Sequence, residues 1–267
     1  MKVILGGRKI MSENKEILPD VSNIKTSETY TLPSKGLLYA ETENIPASIT
    51  LRRMTTKEDK IRMRNASDEQ IKKDILDACI TTEGVDAGKL KLNDANYLLF
   101  RLRSISLLID TYKVQCNCRH CGSEFIHELQ LSDVPVKYYK KTDLKKLKIE
   151  LPVSKAKVDL KYPSLNDMIL YTNKLKAYIE QFPNADKNEA IYSVSAMMYI
   201  DKINGSKLLS EELEDLVDNL DIIDNRILRR AIDQLDEDFG LIAVDEIGKK
   251  QFWDQNLQKR KRASRKK

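Results

Sequence analysis

Apolar residues recur along the chain with two different periods, and the switches between them outline its elements. Ser48-Ile49-Thr50-Leu51-Arg52 alternates and reads as a short strand. Thr55-Thr56-Lys57-Glu58 then opens a helix, with a threonine cap and Glu58 placed to answer it as a capping box. Ser67-Asp68-Glu69-Gln70 repeats that signature, and behind it Ile71, Ile75, Leu76, Cys79 and Ile80 fall on one helical face. A third helix starts at Asn93 or Asp94. Its apolar arc is wide, running from Tyr97 and Leu98 through Phe100 and Leu102 to Ile105, Leu108 and Ile109, with Arg101 and Arg103 projecting from it.

The period then shortens. Tyr112-Lys113-Val114 and residues 125–131 flank Cys118-x-x-Cys121-Gly122, and strand, C-x-x-C-G, strand is the shape of a zinc knuckle. The turn offers backbone N–H groups to the thiolates, and Gly122 allows the positive φ needed to return. A tetrahedral Zn²⁺ needs four N or S ligands. Cys118 and Cys121 supply two, and Cys116, His120, His127 and the distant Cys79 compete for the others. Cys79 lies on a helical apolar stripe and reads better as a small buried hydrophobe. Without a second C-x-x-C, a metal-free hairpin with incidental thiols stays open beside the structural zinc.

Beyond the hairpin, residues 137–148 hold six lysines against one acid and read as a solvated linker. Residues 157–162 alternate as a strand. Pro163-Ser164-Leu165-Asn166-Asp167 starts a helix, with Ser164 as cap and Asp167 at the third helical position. From there the pattern is helical. One stripe runs from Met168 and Ile169 through Tyr171 and Leu175 to Ile179, ending at Phe182-Pro183. The next takes Ile191, Val194, Ser195, Met198 and Ile203, stopped by Asn204-Gly205. Ser210 caps a helix over 211–220, residues 223–235 give the last long one, and residues 239–244 read as a closing strand before Phe252 and Trp253.

Composition narrows the picture. The 267 residues can bury a sizeable core, and 33% charged against 41% hydrophobic fits a helix-rich, highly charged surface. No apolar run approaches a membrane span, and residues 1–11 lack the apolar region of a signal peptide. Cysteines without such a segment point to a reducing compartment. The net charge of +5 is concentrated at one end. Seven bases and no acids lie in 259–267, so the rest of the chain carries −2, which argues against a body built around nucleic acid. The expected class is α+β and mostly helical, with a small β-hairpin zinc knuckle packed on helices and a helical C-terminal part. Its expected divisions are a disordered 1–28, an α/β module with the knuckle over 29–136, the basic linker 137–148, a mainly helical domain over 149–253 and a disordered basic tail over 254–267.

Catalytic signatures are missing. There is no phosphate-cradling glycine loop, no G-x-S-x-G, no H-E-x-x-H and no deaminase H-x-E with P-C-x-x-C. Both histidines sit at the knuckle, which leaves no independent imidazole for a nucleophile–base pair. These absences point away from an enzyme.

Several stretches occur together in order: LPSKGLLY (32–39), ITLRRMTTKED (49–59), LLFRLRSISLLIDTYKVQCNC (98–118), then CRHCG (118–122) followed by HELQLSDVPV (127–136). This order resembles the T4-type contractile-phage baseplate family, whose members are described as hub subunits or hub-assembly proteins. The resemblance implies a non-enzymatic protein that binds other phage baseplate or hub proteins. It would be found in the host cytoplasm during assembly and in the virion tail baseplate. Family members often carry a second C-x-x-C near the C-terminus, whereas this chain reads DFGLIAVDEIGKKQFWDQ there (238–255). With that pair absent, the implied zinc ligands are Cys116, Cys118, Cys121 and His127, one Zn²⁺ per chain. The apolar arm residues Leu32, Pro33, Gly36, Leu37 and Tyr39 are the candidate partner-binding positions. The reading from another class is a zinc-ribbon nucleic-acid-binding protein using residues 137–148 and the tail, although its aromatics are not interleaved with the basic runs.

Overall fold

The computed structural model describes residues 26–107, 111–117, 123–130, 134–140, 147–181, 187–236 and 238–241. Several expectations therefore lie outside the described residues: the N-terminal segment to 25, the knuckle turn 118–122, the run 141–146, the break at Phe182-Pro183, and everything after Leu241.

β1 (Ser27–Thr31) runs antiparallel to β2 (Ser48–Arg52), with Ser27 facing Arg52 and Thr31 facing Ser48. β1 carries no apolar alternation of its own. β2 supplies it through the fully buried Ile49 and Leu51, while hydroxyl pairs such as Thr29–Thr50 at 2.8 Å fasten the outer face. α1 (Thr56–Asp59) is capped as its sequence dictates, since the Thr55 N–H and hydroxyl both donate to Glu58 Oε2 at 2.7 Å. α2 (Asp68–Cys79) starts at Ser67, whose hydroxyl accepts from the Gln70 N–H. It buries Ile75, Leu76 and Cys79 against β2 and α3 (Leu92–Leu107).

β3 (Thr111–Asn117) and β4 (Glu124–Gln130) form an antiparallel hairpin, and β5 (Val136–Lys137) follows. A second core gathers around β6 (Lys148–Glu150), β7 (Lys157–Leu160), α5 (Lys187–Tyr199), β8 (Ile200–Ile203), α6 (Ser210–Asp218) and α7 (Ile222–Asp236). α4 (Leu165–Gln181) and β9 (Gly240–Leu241) instead send Leu165, Ile169 and Leu241 to the first core. Ser164 and Asp167 cap α4 reciprocally, as their spacing predicts.

Four expectations need correction. The stripe read as helical through Ile203 breaks at Tyr199. Ile200 and Ile203 instead pair with Leu160 and Val158 in the sheet β6-β7-β8; their spacing of three suits a helix, but tertiary pairing decides, and a register shift between Asp159 and Leu160 accommodates it. β8 thus adds a further strand to the C-terminal part read as mainly helical, and about half of the described residues are helical rather than most. Ser210 is the first helical residue, not the cap; Leu209 holds the cap position, and its N–H donates to Glu212 Oε2 at 2.9 Å. Finally, Tyr139 lies within the stretch read as a solvated linker yet is only 2% exposed. Its ring meets Tyr162 and Phe239 edge-on at 5.7 Å, so the beginning of that stretch belongs to the second core.

Glu58 is the buried carboxylate that fixes the entry to α1. Arg52 Nη2 lies 2.8 Å from its Oε1, and this bond, together with those from Thr55, holds the carboxyl well below the ordinary range against the opposing effect of burial. A carboxylate whose folded pKa is depressed stabilises the fold above its unfolded value, about 4.3, and loses that contribution as pH falls toward the folded value. Glu58→Gln should therefore lower the Tm at neutral pH and flatten the loss of stability between about pH 5 and pH 2, as read by thermal unfolding across pH. An unchanged acid limb would remove Glu58 from this role.

Candidate functional site

The arm 32–39 is folded back as a turn and locked onto the start of α3. Leu32, Pro33 and Ser34 are buried, and the chain then reverses through Lys35 and Gly36, both in the left-handed region at φ 54° and 73°. A Cβ on Gly36 would stand 3.2 Å from the Ala47 nitrogen, so position 36 has two reasons to be glycine. The Ser34 N–H donates to Asp94 Oδ1 at 3.0 Å and the Tyr39 hydroxyl donates to Asp94 Oδ2 at 2.6 Å. Tyr39 in turn accepts from the Lys91 N–H at 2.9 Å. Burial pushes the Asp94 carboxyl above its ordinary range, opposed by the Ser34 and Tyr39 donors; burial and the neighbouring Asp94 hold the Tyr39 phenol far up.

The same turn of α3 receives the second half of the molecule. The Leu92 N–H donates to the Pro163 carbonyl and the Leu165 N–H to the Leu90 carbonyl, both at 2.9 Å. The Asn93 side chain donates to the Phe239 carbonyl at 2.8 Å, and Gly240, at φ 110°, lets the backbone pass close by. The Tyr139 N–H closes the ring of contacts on the Pro33 carbonyl at 2.9 Å.

Of the five arm residues, Leu32 lies in the first core, Pro33 is buried, Gly36 and Tyr39 are half-buried, and Leu37 is exposed at 40%. Within this chain the arm is thus held by the body, with Leu37 as its outward apolar side chain. Of the proposed metal ligands, Cys118 and Cys121 lie outside the described residues, as does His120. Cys116 and His127 occupy β3 and β4, where Cys116 faces Phe125 and His127 faces Val114. That register makes them diagonal neighbours near the closed end of the hairpin. Among the described residues no group of His, Cys, Asp or Glu is arranged to hold a metal. Cys79 is fully buried in the first core, and burial pushes its thiol up to about 11, with Arg52 opposing, in keeping with a packing role.

Sequence reasoning missed Asn93 and Asp94 as joints. Both were visible only as a helix start, a role in which Asp and Asn are ordinarily expected. No local signal was available: the helix begins at Leu92, ahead of both, which frees their side chains for distant partners.

Tyr39→Phe removes the donor to Asp94 and the acceptor for Lys91 while keeping the ring. We expect a loss of about 1–3 kcal/mol in urea unfolding and faster proteolytic cleavage within 33–40. Asp94→Ala, which strands two donors, should cost more. A neutral Tyr39→Phe would mean that the clasp is replaced by water without penalty.

Set against known proteins, the chain has no significant match among curated proteins or solved structures. A family model described as T4 bacteriophage base plate protein matches residues 25–235. The matched span runs from β1 into the last turn of α7, so it takes in both cores and the joint at α3. With most of its length inside that match, the chain belongs to the T4 bacteriophage base plate protein family.

Proposed function

We propose that this protein is a non-enzymatic hub subunit or hub-assembly factor of a contractile phage baseplate, acting through protein–protein contacts with other baseplate components. It would work in the host cytoplasm during assembly and be carried in the tail baseplate. The observation that carries this reading is the family match across residues 25–235, which runs from β1 into α7 rather than over one motif. The use of the buried carboxylates supports it. Glu58 is taken up by Arg52 and Thr55, Asp94 by Ser34 and Tyr39, Asp224 by the Val153 and Ser154 N–H groups, and Asp238 by the Tyr162 hydroxyl. Each is committed to donors that join segments, which is the use an interior polar group has in a scaffold.

We also propose that Cys116, Cys118, Cys121 and His127 hold one structural Zn²⁺. The hairpin supports this physically. Its strands pair only with each other among the described residues, and Phe125 and Ile126, on alternate faces, are 39% and 69% exposed. A two-stranded hairpin is marginal on its own in water, and a metal at its closed end would add stability there.

The hub reading is tested by co-purification. Tagged protein from infected cells should bring down baseplate components, and free DNA should bind only weakly, with binding lost once residues 259–267 are removed. Tight, salt-steep DNA binding by the tail-less protein would favour the zinc-ribbon alternative. For the metal, purified protein should carry close to one zinc per chain, lost in Cys118→Ser or Cys121→Ser and kept in Cys79→Ala. A metal-free protein of unchanged thermal stability would end that proposal.

A further inference from the structure

α7 is two-faced. Asp224, Leu228, Ile232 and Leu235 are buried in the second core. The opposite side carries Ile222, 65% exposed, and Ile223, 53% exposed, followed by the exposed Arg226 and Arg230. Positions 222, 226 and 230 are successive turns of one stripe, with 223 beside them. Neither Arg226 nor Arg230 makes a hydrogen bond or ion pair among the described residues. Two adjacent β-branched side chains in water, leading into two uncommitted guanidinium groups, make a helix face without a partner among the described residues. Arginine beside exposed apolar surface is also the composition that interfaces favour.

Charge selects the occupant. The face fits an acidic helix with an apolar residue at one end. α6 has that character: from Glu211 to Asp218 every exposed side chain is acidic, namely Glu211, Glu212, Asp215 and Asp218. Leu209, just ahead of the helix, is 72% exposed. Only residues 219–221 separate α6 from α7, and the exposed Arg226 and Arg230 point away from the buried side of α7.

We propose that the Ile222–Ile223–Arg226–Arg230 face of α7 seats α6 of a second copy. In a two-fold dimer the contact is made twice, each copy giving one acidic helix and one basic face. Leu209, Ile222 and Ile223 provide the apolar part, and Arg226 and Arg230 meet Glu211 and Asp215 at its rim. The rim pairs are exposed and screened, so they set orientation and register more than strength. This inference does not depend on the baseplate reading.

The test is sedimentation of the full chain over a range of concentrations and salt. We expect a monomer–dimer equilibrium that weakens as salt rises. Arg226→Glu with Arg230→Glu should raise the dimer dissociation constant roughly tenfold or more, and Glu211→Arg with Asp215→Arg should do the same. Combining all four reversals should restore dimerisation, a recovery that a folding defect could not produce; circular dichroism melts monitor folding of each variant. Deletion of residues 259–267 should leave the dimer intact. A chain monomeric at every concentration, a dimer indifferent to the α7 reversal, a four-fold variant that fails to recover, or a dimer lost with the tail would each overturn the proposal. So would capture of a different acidic protein by the α7 face of a chain that never dimerises.

Discussion

The first turn of α3 holds the molecule together, and it does so with groups that a helix leaves unpaired. The opening N–H groups of any α-helix lack intrahelical acceptors. Here the Lys91 N–H goes to the Tyr39 hydroxyl and the Leu92 N–H to the Pro163 carbonyl, so donors that a local cap would satisfy reach distant segments instead. The side chains that follow extend the pattern, Asn93 toward Phe239 and Asp94 toward Ser34 and Tyr39. One turn of helix thereby fixes the arm on one side and the second core on the other. Asp94 is costly to bury as a charge, and burial does push its carboxyl upward. Its two donors make the position tolerable, and removing either exposes the cost of the other.

What could be read from the sequence follows from how local each determinant is. The caps of α1, α2 and α4 were legible because Thr55–Glu58, Ser67–Gln70 and Ser164–Asp167 lie within four residues, although at α2 only the Ser67 half of the box forms, the Gln70 amide donating to Asp74 instead. Cys79 was legible as core for the same reason: its period matches Ile75 and Leu76 on α2. β1 and β8 were not. β1 is polar and becomes a strand through β2, and β8 follows α5 without a break in its apolar spacing, becoming a strand through β7. Asp94 belongs to the same class of miss. Its partners lie 60 and 55 residues away, and no local pattern encodes such a distance.

The arm illustrates how a correct local reading leaves its destination open. Gly36 marks a turn, and the turn is present, with Gly36 at φ 73°. The residues read as a surface for partners are largely absorbed by the chain's own interior, with Leu32 wholly buried and Pro33 beneath the Tyr139 N–H. Apolar anchors in a sequence say that burial will occur. Whether the covering surface is the same chain or another is decided by where the chain returns.

The hairpin β3–β4 presents the converse case. Its alternation is clear, yet the described side chains lie outside both cores, and Phe125 and Ile126 emerge on different faces. With the proposed zinc, the hairpin would draw order from its closed end as well as from a partner. The two are not rivals. A zinc held near Cys116 and His127 would fix the strands before any encounter, so that docking would order fewer residues at the moment of binding. A rigid hairpin also keeps its register, and with a period of two, register decides which of Phe125 and Ile126 meets the partner. On this argument the metal would act on recognition by holding a register, with no chemistry of its own to perform.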